Sequence, residues 1–203
     1  MDHLLAIILF AVSCSITPGP NNIMVMTSGA NFGAKKTLPL LAGICIGFTF
    51  MLLLVGFGFH QLFEQFPHLH LIIKCIGVSY LLYLAMLIAR SEGAVNEMSQ
   101  GKPFTFLKGA LFQWVNAKAW IVATGAIAAF TRVDANFTTQ NLMIAAVFLI
   151  VSFPCVGVWL TLGSLLKRML SSPASRKKFN YSMSILLALS VVPVVGEIIV
   201  QLS

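Results

Sequence analysis

Apolar and polar positions along the chain fall into long blocks instead of a short amphipathic period. Six apolar blocks, Leu4–Met26, Leu38–Phe59, Leu71–Ala89, Phe106–Phe130, Leu142–Leu166 and Tyr181–Leu202, are separated by polar connections. These are Asn31–Lys36, His60–His70, Arg90–Lys108, Thr131–Asn141 and Lys167–Asn180. A helix needs about 20 mostly apolar residues to cross ~30 Å of hydrocarbon. The pattern therefore predicts an all-α integral membrane protein with six transmembrane helices, and residues 1–203 as a single transmembrane domain. Composition agrees: 58% of the 203 residues are hydrophobic and 9% charged, where a soluble domain carries roughly 25% charged residues. The first block lacks a basic leader and a small-residue cleavage site, so it is expected to stay as a span.

The net charge of +7 comes from 13 basic and 6 acidic residues. With six spans, Lys35, Lys36, Arg90, Lys102, Lys108, Lys167, Arg168, Arg176, Lys177 and Lys178 share one side. The other side has Lys74 and Arg132, and Lys118 falls inside a span. The positive-inside rule puts the basic side in the cytoplasm and both termini outside. These basic residues lack interleaved aromatics, so they mark topology, and no nucleic-acid partner is expected.

Three spans precede the longest basic connection and three follow it. Halves with an odd number of spans enter the membrane from opposite faces, which predicts two inverted three-helix repeats, 1–90 and 106–203. No P-loop and no dinucleotide fingerprint is present, so no cofactor and no ATP hydrolysis are expected. No grouping of acids, histidines or nucleophiles suggests an enzyme.

Two stretches carry the chemistry. Thr17-Pro18-Gly19-Pro20-Asn21-Asn22 interrupts the first span, because each proline removes an N–H and disfavours α geometry before it. Freed backbone inside a bilayer is tolerated only where protein or a water-lined cavity satisfies it. The alternative is that these residues end the helix at the surface, but apolar residues continue to Met26. The second stretch, Gln113-Trp114-Val115-Asn116-Ala117-Lys118, lies in the fourth span. Lys118 is ten residues past Lys108, ~15 Å along a helix. An intramembrane lysine is costly and faces a cavity more often than lipid, although it can also snorkel to the interface. Its natural role is to hold a carboxylate.

Pro18-Gly19-Pro20-Asn21-Asn22, followed by Gly33, Gly43 and Gly47, resembles the amino-terminal signature of the LysE/RhtB family of amino-acid exporters. Phe106–Trp120, with Gly109 and Asn116-Ala117-Lys118, is similar to that family's second signature. The resemblance covers the whole chain. It implies proton-driven efflux of amino acids across the bacterial cytoplasmic membrane, with a small amino acid and protons as partners. Pro18, Gly19, Pro20, Asn21 and Asn22 would form one half of a central site, and Gln113, Asn116 and Lys118 the other. Asn21-Asn22 with Gln113–Asn116 is similar to the branch exporting cysteine and O-acetylserine, which implies a small neutral substrate.

The chain departs from the family pattern at two places. Ala117 stands where the family commonly has proline, so the fourth helix is expected to be broken mildly or not at all. Ile150–Cys155 lacks the acidic residue that many members carry in the fifth span, leaving Glu197, Asp2 and Lys118 as candidate proton carriers. Gly29-xxx-Gly33 and Gly43-xxx-Gly47 allow close helix approach, within the monomer or in a homodimer. Pro154 with Gly157, and Pro193 with Gly196, are expected to bend the last two spans. Cys14, Cys45, Cys75 and Cys155 are scattered singly, with no disulfide or metal expected. His60, His68 and His70 make a poor metal set without neighbouring acids. A non-transporting membrane scaffold is the rival class, and the broken helix and the buried lysine weigh against it.

Overall fold

The computed structural model describes residues 2–59, 67–90, 103–131, 136–169 and 172–202. All regular structure among them is helical: α1 Asp2–Ile16, α2 Pro20–Phe32, α3 Ala34–Leu54, α4 Pro67–Arg90, α5 Phe106–Phe112, α6 Ala117–Phe130, α7 Phe137–Met169, α8 Pro173–Leu189 and α9 Val192–Leu202. A π-turn, Val55–Phe59, extends α3, and a 3-10 turn, Gln113–Val115, sits between α5 and α6.

Three helical stretches are each long and apolar enough to cross a membrane: Ala34–Gly58, Phe137–Leu166 and Pro173–Val200. The pair α1 and α2 passes the same test together, bent by 54° at its break, and Cys75–Arg90 and Ala117–Phe130 are shorter apolar helices. Large apolar side chains face outward, with Ile150 72% and Val200 76% exposed. Water would oppose such a surface and acyl chains would not. The chain is a multi-pass membrane protein.

The apolar interior divides into two clusters. One joins α2, the start of α3, α4, Phe112 of α5, the end of α7 and α8; Leu40, Leu84 and Leu187 are at its centre. The other joins α1, the end of α3, α6 and the start of α7, around Ile7, Ala123 and Phe148. The breaks in the two interrupted helices lie at the level where the clusters meet, so each interrupted helix contributes to both.

Several boundaries differ from the sequence expectation. The expected connection Asn31–Lys36 shrinks to Gly33, whose φ of 86° is a conformation that favours glycine. Thr37 braces this joint, since its hydroxyl donates to Gly33 O at 3.0 Å and shares a hydrogen bond of 2.9 Å with Ser28. Helix α8 begins at Pro173, inside the expected connection Lys167–Asn180, where the Ser172 side chain caps it. The last span is divided at Ser190–Val191, just ahead of Pro193, which cannot supply an N–H to the preceding turn. Helix α7 runs continuously through Pro154. Residues 60–66, 91–102, 132–135 and 170–171, which hold His60, Lys102, Arg132 and the expected flexible loop, lie outside the described residues, as do the side chains of Asp2, His68, His70, Lys74, Lys167, Arg168, Pro193 and Glu197.

The small-residue spacings are spent inside the chain. A Cβ at Gly43 would collide with Phe106 O, and one at Gly47 would stand 2.5 Å from Ala110 Cα, so α3 and α5 touch backbone to backbone. Gly29 makes a similar approach to Leu160 O of α7, 3.0 Å from a built Cβ. Gly43→Val should therefore force α3 from α5 and lower stability by about 1–3 kcal/mol, the usual cost of overpacking. Ile46→Val, on the exposed face of the same helix, should change it by less than ~0.5 kcal/mol. Thermal unfolding in detergent micelles measures both, and equal shifts would reject the close contact.

Candidate functional site

A helix end leaves its last carbonyls without helical donors, and inside a bilayer no solvent replaces them. At the first break, five consecutive carbonyls receive side-chain donors. Thr17 Oγ1 donates to Cys14 O at 3.1 Å. Asn22 Nδ2 donates to Ser15 O and Thr17 O, each at 2.9 Å. Trp159 Nε1 of α7 donates to Ile16 O at 3.0 Å. Lys118 Nζ donates to Thr17 Oγ1 at 2.8 Å, Thr17 O at 3.2 Å and Pro18 O at 3.4 Å. The ammonium thus sits at the carboxyl end of α1, where the helix dipole favours a cation. It turns toward the break instead of snorkelling away from it.

Gly19 makes this approach possible. Its φ of −179° is extended backbone open to any residue, so what glycine contributes there is space. A Cβ would stand 3.1 Å from Lys118 Cδ and 3.2 Å from Nζ.

The second break forms without proline. Helix α5 stops at Phe112, the chain tightens through Gln113–Val115, and Asn116 is extended with φ −90° and ψ 103°. Asn116 Oδ1 then accepts from Lys118 N at 3.2 Å and starts α6. Gln113 Nε2 donates to Gly109 O at 2.9 Å, and Trp120 Nε1 donates to Trp114 O at 2.8 Å. Ala117 occupies the first helical position, where proline would be tolerated and is not required. The interruption at Gln113–Asn116 overturns the expectation that the fourth helix could be unbroken.

The two breaks are bonded to each other. Asn21 Nδ2 donates to Gln113 Oε1 at 2.9 Å and Gln113 Nε2 returns a bond to Asn21 Oδ1 at 3.1 Å. Interhelical side-chain bonds in membrane proteins contribute about 0.6 kcal/mol each, at most ~1.7. This reciprocal pair and the Lys118 contacts therefore hold the breaks together by a few kcal/mol.

Between them lies a cavity of about 60 Å³, lined by Gly19, Pro20, Asn21, Asn22, Asn116 and Lys118 among others. Pro18 and Gln113 do not line it: Pro18 offers its carbonyl to Lys118 and Gln113 orients Asn21. The remaining wall, unforeseen from sequence, includes Cys14 and Ser15 of α1, Ile44, Cys45 and Phe48 of α3, and Phe148, Ser152 and Val156 of α7. Trp159 reaches the break through its indole N–H. The polar Ser152 within an apolar span was one signal available for the α7 wall. No carboxylate lines the cavity among the described residues, and none of their side chains form a metal-binding group.

Comparison with known proteins places the chain in a family. The chain is 30% identical over 186 residues to a cysteine/O-acetylserine efflux protein of Salmonella choleraesuis, covering 90% of each chain. It is 30% identical over 146 residues to the protein of that name from Klebsiella pneumoniae, covering 70% of this chain and 74% of the relative. No solved structure matches it. Residues 12–199 match the family model described as LysE type translocator, a span that includes both breaks. The chain therefore belongs to the LysE type translocator family, a family of transporters and not of enzymes.

Proposed function

We propose that the protein exports a small amino acid across the bacterial cytoplasmic membrane by alternating access, driven by protons. The observation that carries this reading is the cavity where two interrupted helices meet, walled by asparagines and apolar side chains, with a lysine ammonium at its edge. Discontinuous helices around a buried site are a common plan of secondary transporters. A scaffold subunit has no need of such a cavity.

The cavity has room for a small solute. About 60 Å³ accommodates about four to six waters at ~10–15 Å³ each, or ~120–180 Å³ of liquid, the bulk of a small amino acid. The relatives named for cysteine and O-acetylserine efflux point to the same class. In this reading the chain crosses six times, as inverted halves 1–90 and 106–203, with both termini outside. The substrate enters from the cytoplasm and its carboxylate draws Lys118 Nζ from the Thr17 and Pro18 oxygens. Its amino group lies among Asn21, Asn22 and Asn116, and the halves rock about it. The two opposed breaks support the inverted arrangement, since each half begins with an interrupted helix.

Inside-out vesicles with an acidified interior should accumulate L-cysteine. Lys118→Ala should cut accumulation at least about tenfold while the protein remains inserted, because one charged contact is commonly worth about 1.5–3 kcal/mol. Undiminished accumulation by the alanine variant would remove the lysine from the mechanism. For orientation, Lys36→Cys and Lys178→Cys, each in a background lacking the four native cysteines, should react with an impermeant maleimide in inside-out vesicles and not in intact cells. Labelling from outside the cell would reverse the topology.

A further inference from the structure

The two apolar clusters are held together differently. In the cluster around Leu40 and Leu84, helices meet backbone to backbone. A Cβ at Gly163 of α7 would collide with Met26 O of α2, and one at Gly77 of α4 with Val115 O. One at Gly109 of α5 would stand 2.7 Å from Leu40 O of α3. Around Phe148, where α1 starts and α6 finishes, side chains make the contacts. Asn141 of α7 lies over Gly56 and donates to Leu53 O at 3.1 Å, which joins α7 to the end of α3. The nearest atom to a Cβ at Gly125 of α6 is Phe10 Cζ of α1, 4.0 Å away.

Helix α6 enters this second cluster with a smooth face. Beyond Trp120 its buried residues are Ala123 and Ala126, which give a neighbouring helix little to interlock with. It is tied to α1 at both ends instead. Near its start, Lys118 bonds Thr17 and Pro18. At its last residue, Phe130 meets the Phe10 ring edge to face, with centroids 5.4 Å apart. Phe10 in turn meets Phe148 at 6.2 Å, and Phe148 meets Phe48 at 5.4 Å. The last two rings line the cavity. Ile7, Ala11 and Phe148 are each 0% exposed, so the cavity is shut on this side. The pivot is local: Asn116 is extended, and Trp120 Nε1 bonds Trp114 O across the break. Helix α6 can tilt about Asn116 while its start stays attached.

We infer that α6 is the exit gate, a half-helix that swings on Asn116 and is latched to α1 by Lys118 at one end and by the Phe130–Phe10 ring contact at the other. This rests on the export reading, in which the start of α1 and the end of α6 face outward and the substrate carboxylate draws Lys118 from Thr17 and Pro18. Substrate thereby releases the inner latch and leaves only the rings to part. The gap that opens between α6 and α1 leads outward past Phe10.

Cys45 reports the gate, because it lines the cavity and is 0% exposed with the gate shut. The probe is 2-sulfonatoethyl methanethiosulfonate, a membrane-impermeant thiol reagent, applied to intact cells without substrate. The background has Cys14, Cys75 and Cys155 replaced by alanine. Phe130→Ala, at a half-buried position at the end of α6, should raise the rate of Cys45 modification by about three- to tenfold, the shift in an open–closed equilibrium expected from losing one aromatic pair. Phe130→Tyr, which keeps the ring, should leave the rate within about twofold. In otherwise cysteine-free protein, Phe10→Cys and Phe130→Cys joined by a reversible bis-methanethiosulfonate should stop accumulation in inside-out vesicles, and reduction should restore it. A rate unchanged by Phe130→Ala, an increase seen only when the reagent meets inside-out vesicles, or transport persisting through the joined pair would overturn the gate while accumulation by the unaltered protein still upheld export. No accumulation by the unaltered protein would overturn the export reading and the exit role with it.

Discussion

A carbonyl oxygen in hydrocarbon must find a donor or cost several kcal/mol, and the break after α1 leaves five in succession, Cys14 to Pro18. Their donors come from three directions: Thr17 from the break itself, Asn22 from the helix that follows, and Lys118 and Trp159 from more than a hundred residues away. Much of the centre follows from this requirement. Gly19 leaves room for Lys118 to lie against it, α7 must bring Trp159 to Ile16, and α6 must begin where its second residue can reach Thr17. The cavity is the space left when long-range donors converge on an interrupted chain.

The second break meets the same demand by local means. Gln113, Asn116 and Trp120 all bond backbone atoms within six residues of themselves, so the segment would be interrupted in much the same way without its partner. The first break cannot close its account alone. This difference leaves one half-helix start finished and the other open, although both halves present an interrupted helix at the same level.

The sequence made the local chemistry legible and left the long-range chemistry hidden. Pro18, Gly19 and Pro20 announce a break because proline's lost N–H is intrinsic to the residue, and the span Phe106–Phe130 matches its helices end to end. Lys118 was readable as a cation within a span because charge inside an apolar block is costly wherever it points. Its acceptors were not readable, since nothing local to Thr17 says that a lysine 101 positions later will bond it. Ala117 misled because the break was tied to proline, whereas an asparagine cap starts a helix equally well. The joint at Gly33 was read as a six-residue connection because Lys35 and Lys36 are polar, yet charged residues are comfortable in the first turn of a helix that starts at the bilayer edge.

That joint gives α2 and α3 the mechanics of tweezers. One glycine separates the two helices, and Ser28 with Thr37 clasps them just beyond it. Asn22, near the far end of one arm, and Cys45 with Phe48, partway along the other, line the same cavity. With a single residue as pivot, the gap between the arms depends on the two dihedral angles of Gly33 together with α7, against which both helices pack. A rotation there of a few degrees would be magnified along each arm into a change of width at the cavity.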